Sequence, residues 1–284
     1  MIKVASVGGY SEVGKNMTAI SIDDEVVILD MGIYLPKLLD FEEGHNSRKN
    51  LSREALINLG VIPNDDFIKS WRSKTKAIVI GHCHLDHSSA TIYLAKNYKC
   101  PIIGTPFTNA LIRNLSKEEG IELRNELKTL QIGESIKVSK NIEIEFVNAT
   151  HSTPQTAMVA IHTKYGTIMY CNDFKLDETP VIGRKTDYNR LREIGKNNVR
   201  LAIIDSLYSD FDSKTPSEML ARQMLKEVIF ENDIQGTIIG TTFASNVARL
   251  KSFLDFGTKL GREVVFLGRS MEKYIRSAEN LDII

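Results

Sequence analysis

The chain has 284 residues, 42% of them hydrophobic and 25% charged, enough for one large domain or two modest ones and too rich in apolar side chains for wholesale disorder. Its 36 basic and 36 acidic residues cancel, so nothing global advertises a nucleic-acid or membrane surface, and only a local basic patch remains open. Cys83, Cys100 and Cys171 are scattered and odd in number, which fits a reducing cytoplasm better than a disulfide framework. Met1-Ile-Lys-Val runs straight into a strand pattern, so no signal peptide is expected. No run approaches the ~18 apolar residues of a membrane span.

In chain order, residues 2–7 read as a strand, followed by Gly8-Gly9-Tyr10-Ser11-Glu12-Val13-Gly14-Lys15-Asn16. The Gly9-x4-Gly14-Lys15 spacing brushes against a phosphate-binding loop. Asn16 stands where Ser or Thr would be needed, and Met17–Ile22 reads as a strand where such a loop must open a helix. A glycine-rich hairpin loop at the edge of a site is the better reading. Glu25–Gly32 is a third strand ending near Asp30. Residues 33–75 are less regular: Phe41–Lys49, with His45, reads as a solvated loop, and Ser52–Leu59 as a helix stopped by Gly60. Trp71 is expected to pack.

Lys76–Ile80 reads as a β-branched strand, and Ser88 can cap a helical run extending to Tyr98. Between them lies Gly81-His82-Cys83-His84-Leu85-Asp86-His87, which holds half of the chain's six histidines. Alternate residues of an extended segment share a side, so His82 and His84 can converge on one cation. Asp86 and His87, past the bend, can reach a second. Imidazole with carboxylate suits zinc, and manganese or iron less specifically. The competing reading is a surface turn that happens to be rich in histidine. Cys83 points the other way and reads as a buried filler.

His82-x-His84-x-Asp86-His87 after a strand resembles the signature of the metallo-β-lactamase superfamily of binuclear metallohydrolases. The Gly8-Gly9-x-x-Glu12-x-Gly14-Lys15-Asn16 stretch is similar to one carried by the superfamily's nuclease branch. Further along, Lys99–Gly104 is a strand, and Pro106–Leu115 a helix capped by Thr105. Leu127–Leu130, Glu134–Val138 and Ile142–Val147 are short strands, the last alternating apolar and charged residues. It ends at Asn148-Ala-Thr-His151, and Gly166–Tyr170 ends at Cys171-Asn172-Asp173. Each is a turn residue by default. The resemblance makes His151 a third ligand of the first cation and Asp173 the carboxylate bridging both. His162, within a strand, reads as a surface or packing residue. The fold implied is α/β: a four-layer αββα sandwich with the cations at the edges of the two sheets.

Residues 174–198 read as a connector. Then come the strand Val199–Asp205, a helix to Phe230 capped by Thr215 or Ser217, the strand Gly236–Gly240, the helix Val247–Phe256, the strand Arg262–Leu267 and a final helix. This is an α/β unit whose binding loops belong at the strands' carboxyl ends. Asp205-Ser206, Thr242-Phe-Ala-Ser-Asn246 and Gly268-Arg-Ser-Met271 resemble the ribonuclease J family of the β-CASP group. The expected domains are a metallo-β-lactamase-like domain over 1–198 and a partial β-CASP domain over 199–284. The resemblance makes Asp86 and Asp205 catalytic, and makes Thr242, Ser245, Asn246, Arg269 and Ser270 substrate-binding. Ordinary helix capping is the competing reading for those loops.

The same resemblance implies two Zn2+ ions, with Mn2+ as the alternative, and RNA as substrate. RNA would be cut from the 5′ end, internally, or both, by a hydroxide held between the cations. The chain departs from the family in having no histidine after His162, so the sandwich is expected to be incomplete at its C-terminal return. Apolar edges left open would invite dimerisation. Two other functions stay open: a small-molecule hydrolase of the same superfamily, and a non-catalytic RNA-binding form.

Overall fold

The computed structural model describes residues 1–45, 51–232 and 235–284. Eleven strands among them build two sheets. The first sheet takes β1 (Ile2–Gly8), β2 (Met17–Ile22), β3 (Glu25–Leu29), β4 (Thr75–Ile80), β5 (Ile102–Gly104) and β6 (Leu127–Thr129) in sequential order. β1, β2 and β3 are antiparallel, and β3 to β6 run parallel. The second sheet has the order β11 (Val199–Ile204), β10 (Gly166–Cys171), β9 (Ala157–Thr163), β8 (Ile142–Asn148), β7 (Ser135–Lys137). It is antiparallel except for the parallel pair β10 and β11.

The sheets pack face to face. Ile20, Val27, Leu29 and Val79 of the first meet Ile144, Phe146, Val159 and Ile168 of the second, all fully buried. Burying each such side chain contributes about 1.5–3 kcal/mol relative to leaving it exposed. β2 and β4 are covered on both faces, hence their nearly continuous apolar sequences. On the far side of the first sheet lie α1 (Leu35–His45), α2 (Arg53–Asn58), a 3-10 segment Asp65–Lys74, α3 (Leu85–Ser88) and α4 (Thr91–Leu94). α5 (Pro106–Glu119) starts on the Thr105 cap and ends at Gly120 in the left-handed region, φ 64°. On the far side of the second sheet, α6 (Tyr188–Lys196) packs Leu191 and Ile194 on Val147 and Met158. Helices, sheet, sheet and helix make the expected αββα sandwich. α7 (Glu218–Phe230), α8 (Val247–Lys259) and α9 (Arg269–Glu279) complete the chain. Tyr274 and Ala278 of α9 and Val247 of α8 seat on Phe107 and Leu111 of α5 and on Cys83.

Several expectations change. Gly236–Gly240 and Arg262–Leu267 form no strand and pair into no ladder, and Ile239, Val265 and Leu267 are 86%, 66% and 80% exposed. β11, read as opening the second segment, pairs in parallel with β10 as the edge strand of the second sheet. The run to Tyr98 is broken into α3, α4 and a 3-10 turn. Ser88 does not cap it, because its hydroxyl donates back to the Cys83 and His84 carbonyls. The connector carries α6. The loop expected over Phe41–Lys49 is helical to His45, and its residues from 46 on lie outside those described. Ser217, rather than Thr215, caps α7.

Candidate metal centre

The site forms where strands of both sheets end side by side. The Ala157 N–H donates to the Gly81 carbonyl at 3.0 Å, tying the end of β4 to the start of β9. Gly81 has to be glycine, since a Cβ there would lie 1.7 Å from the Asn172 amide nitrogen. His82 and His84 follow β4 on an extended stretch, while Asp86 and His87 lie in the single turn of α3. His151 follows β8, and Asp173 follows β10.

Among the described residues two donor groups converge: His82, His84, His151 and Asp173, and then Asp86, His87 and Asp173. Within each, the donor atoms lie within 4.8 Å of one another. The His84 Nδ1 is 3.1 Å from His82 Nε2 and 3.0 Å from His151 Nε2. The His87 Nε2 is 3.2 Å from Asp173 Oδ1 and 3.4 Å from Asp86 Oδ2, and His151 Nε2 is 3.8 Å from the other Asp173 oxygen. Asp173 thus faces one group with each oxygen.

The electrostatics suit cations. Burial and the neighbouring imidazoles push His82 and His84 down, and His151 down to about 3, so all three imidazoles are neutral near pH 7, the form a metal would need. Burial pushes Asp173 up, but the hydrogen bond and charge of His87 outweigh it and hold the carboxyl at about 2. Asp86 is lowered against burial by the same histidine. Burial pushes His87 down, yet Asp30, Asp173 and Asp86 around it raise it well above the usual range. An imidazole ringed by three carboxylates marks a place that wants positive charge. Three neutral imidazoles and an ionised carboxylate within one coordination sphere fit a divalent metal of the zinc type.

Three supporting residues were not singled out from sequence. Asp30, fully buried with φ 59°, accepts from His87 Nδ1 at 2.7 Å, the Tyr170 hydroxyl at 2.7 Å and the Gly81 N–H at 2.9 Å. It fixes the tautomer that leaves His87 Nε2 facing the site. An aspartate at a strand end is the signal that marked Asp173, and it was present at Asp30 too. Tyr170 read only as strand. Asn16, whose amide nitrogen lies 3.0 Å from His87 Nε2, stands out in the sequence as a misfit to a phosphate loop and as the end of the family-like stretch, not as a neighbour of His87.

Asp205 belongs to neither donor group. It is exposed just past β11, its carboxylate accepts from the Leu207 N–H at 2.8 Å, and its N–H donates to the Cys171 carbonyl. Partial burial, with Asp173 and Asp86 nearby, raises its pKa. A cleft of about 1370 Å³ counts His84, Asp86, Ser245, Arg269 and Ser270 among its lining residues. Thr242 and Asn246 are not among its lining residues, and the Asn246 side chain caps α8 by accepting from the Arg249 N–H. Cys83 is buried against Phe107 and Tyr274, as a filler should be, and all three cysteines are free. His162 hydrogen-bonds to Glu145 and Thr167 on the outer face of the second sheet.

Comparison with known proteins places this geometry. The family profile described as a beta-lactamase superfamily domain matches residues 67–226, and that of the ribonuclease J beta-CASP domain matches residues 235–284. The whole chain is 42% identical to ribonuclease J of Methanocaldococcus jannaschii and 42% identical to that of Pyrococcus abyssi, covering 63% of each. The chain therefore spans less than two thirds of the length of these relatives. A crystal structure of a protein of unknown function from Enterococcus faecalis superposes with a TM-score of 0.65 over 99% of this chain and 68% of that one, at 21% identity, a likeness of fold alone. With one profile over more than half of its length and the two donor groups in place, the chain belongs to the metallo-β-lactamase superfamily, and within it is similar to ribonuclease J.

Proposed function

We propose that this chain carries the catalytic centre of a metal-dependent ribonuclease that hydrolyses RNA phosphodiester bonds, from the 5′ end, internally, or both. The observation that carries the reading is the shared cleft, whose lining includes His84 and Asp86 together with Ser245, Arg269 and Ser270. At about 1370 Å³ it exceeds the ~300–1,000 Å³ of ordinary small-molecule pockets and suits an extended substrate better. The ribonuclease J relatives support the same substrate class.

In this reading His82, His84, His151 and Asp173 hold one Zn2+, and Asp86, His87 and Asp173 hold a second cation, with Mn2+ as the alternative. Bound there, divalent cations would lower the pKa of water from 15.7 toward about 7 and neutralise charge developing on the phosphate. The protein's own groups do the rest. Asp86, 29% exposed in the cleft wall, accepts a hydrogen bond from the attacking water and aims it in line with the phosphorus. Asp205, just past β11 with Asp173 and Asp86 nearby, is the group we assign to proton transfer at the departing oxygen. Arg269, exposed at the first turn of α9, and Ser245 and Ser270 bind phosphate oxygens; Thr242 and Asn246 shape the loop that carries Ser245. We place the lactamase-like domain over 1–198 and the partial β-CASP domain over 199–284, with β11 as the strand that joins them. Free cysteines support a reducing, cytoplasmic setting. Exposed apolar residues such as Met224 and Val228 on α7 support a homodimer. No described helix is long and apolar enough to cross a membrane.

The test pairs elemental analysis with incubation of a 5′-monophosphorylated RNA. Two metals per chain, with shortening RNA that Asp86→Ala leaves intact, is the expected result. Two metals with no cleavage would sink the nuclease reading. Turnover of a chromogenic lactam or thioester in its place would make the chain a small-molecule hydrolase.

A further inference from the structure

We propose that Tyr274 is a positioning residue for the first cation position: its hydroxyl holds the Cys83 sulfur, and Cys83 sets the stretch from which His82 and His84 reach the site. The inference rests on the metal-centre reading and gives α9 a task beyond the phosphate contacts assigned to its first turn.

A metal-ligating histidine is ordinarily oriented through its second ring nitrogen, which hydrogen-bonds to a carboxylate, a carbonyl or water. His87 is held in this way by Asp30, and His84 has its Nε2 3.3 Å from the Ser152 hydroxyl. His82 lacks such a hold. Its Nε2 lies 3.1 Å from His84 Nδ1 at the site, and its Nδ1 is buried with no partner among the described residues. The place of this ring is therefore set by the backbone that carries it. That backbone is the extended stretch between Gly81 and α3, where successive side chains point opposite ways. Cys83 points away from the side that His82 and His84 face, so whatever fixes the Cys83 side chain fixes both histidines.

Cys83 is fixed from several elements. It is 2% exposed and packs with Phe107 and Leu111 of α5, Val247 of α8 and Tyr274 of α9. Two hydroxyls hydrogen-bond to its sulfur, those of Tyr274 and Thr153. Thr153 stands two residues after His151, in the loop that also carries Gln155, whose side-chain oxygen accepts from the Phe107 N–H at 2.9 Å. One buried sulfur thus joins the stretch of His82 and His84 to the loop of His151. Tyr274 is a firm support for it. The residue is 4% exposed, with its ring centroid 6.3 Å from that of Phe107. Its helix is tied along α5 where the Asn114 amide donates to the Ser277 hydroxyl at 3.0 Å and the Lys273 ammonium to Glu118 at 2.7 Å. Ser270 stands one turn before Tyr274 on the same helix, so the helix that the proposed function assigns to phosphate also steadies the metal histidines.

The experiment gives the intact chain one equivalent of Co2+, read by its visible absorption and by competition with a chelator. Tyr274→Phe keeps the ring and removes the hydroxyl alone. It should alter the Co2+ spectrum and weaken the ion by about tenfold, while moving the melting temperature of the metal-free chain by no more than about 4 °C. Cys83→Ala should do the same, and adding Tyr274→Phe to it should change the spectrum and affinity no further, because the contact is already gone. Cys83→Ser, which keeps a partner for the Tyr274 hydroxyl, should return both toward the wild type. A wild-type spectrum and affinity in Tyr274→Phe would mean that the residue only packs α9, and would overturn the proposal; so would full additivity in the double variant. Should Tyr274→Phe fail to fold, the pair at Cys83 decides, and a wild-type spectrum in Cys83→Ala overturns the proposal. A wild type that takes up no Co2+ would overturn the metal-centre reading itself.

Discussion

The sandwich and the segment after it dispose of their apolar side chains differently. In the sandwich Ile28, Val79, Phe146 and Val159 are 0% exposed. Beyond β11, Phe211, Met224, Val228 and Phe243 are 62%, 59%, 59% and 84% exposed. Both regions form their helices, because a helix closes its hydrogen bonds within its own backbone. Only the sandwich forms its strands, because a strand needs a neighbour to complete the ladder. Gly236–Gly240 and Arg262–Leu267 have strand sequences, and no ladder partner among the described residues. The candidate metal donors all come from the first region, while the second contributes residues to the lining of the cleft.

The sharpest way to break this division is to remove the residue shared by both donor groups. Asp173→Asn should take elemental analysis from two metals per chain toward none, and lower RNA cleavage by more than ~100-fold, since even outer partners of metal ligands are worth about 10–100-fold. Two metals retained in that variant would mean that the bridging assignment is wrong. Next come matched truncations, one in each region. Phe146→Ala should cost about 3–5 kcal/mol in denaturant unfolding, and Phe243→Ala should stay within about 0.5 kcal/mol. A large loss at Phe243 would reveal a cover over that face in solution. Smaller again, Asp30→Asn keeps the shape of the buried side chain but not its charge on His87. It should weaken the second cation about 10–100-fold in competition titrations and leave the first in place. Equal loss of both would show that Asp30 supports the whole turn rather than His87.

Much of this was legible in the sequence, for identifiable reasons. The six donors stand at strand ends or in the turn after β4, and strand ends are where periodicity breaks and polar residues become conspicuous. β8 declares its inward face through Ile142, Ile144 and Phe146 against Glu143 and Glu145. What stayed hidden depends on pairing across long separations. Nothing near residue 199 says that β11 will join β10, and nothing near residue 16 says that its carboxamide will meet His87. Ser88 looked like a cap because a serine before a helical run usually is one, until its hydroxyl found the carbonyls of Cys83 and His84 behind it. Asn246 can be read either as a phosphate ligand or as a cap, and in the fold it caps.

Glu145 gives the smallest effect, and it separates charge from shape on the outer face of the sandwich. It is 5% exposed, and it accepts from Arg190 through both oxygens, at 2.6 and 3.0 Å, and from His162 at 2.7 Å. Burial alone would raise its pKa, but the Arg190 and His162 hydrogen bonds outweigh it and hold the carboxyl below the ordinary 4.5. A group lowered on folding contributes stability above its unfolded pKa and loses it as pH falls through the folded value. The stability gap between wild type and Glu145→Gln should therefore be full near pH 7 and shrink as pH falls below about 4.5, in denaturant midpoints measured across acid pH. The glutamine keeps the shape and part of the hydrogen bonding while removing the charge. A gap that stays constant with pH would mean that Glu145 holds α6 to the sheet by packing and neutral hydrogen bonds alone, and that its ion pair with Arg190 adds nothing to folding.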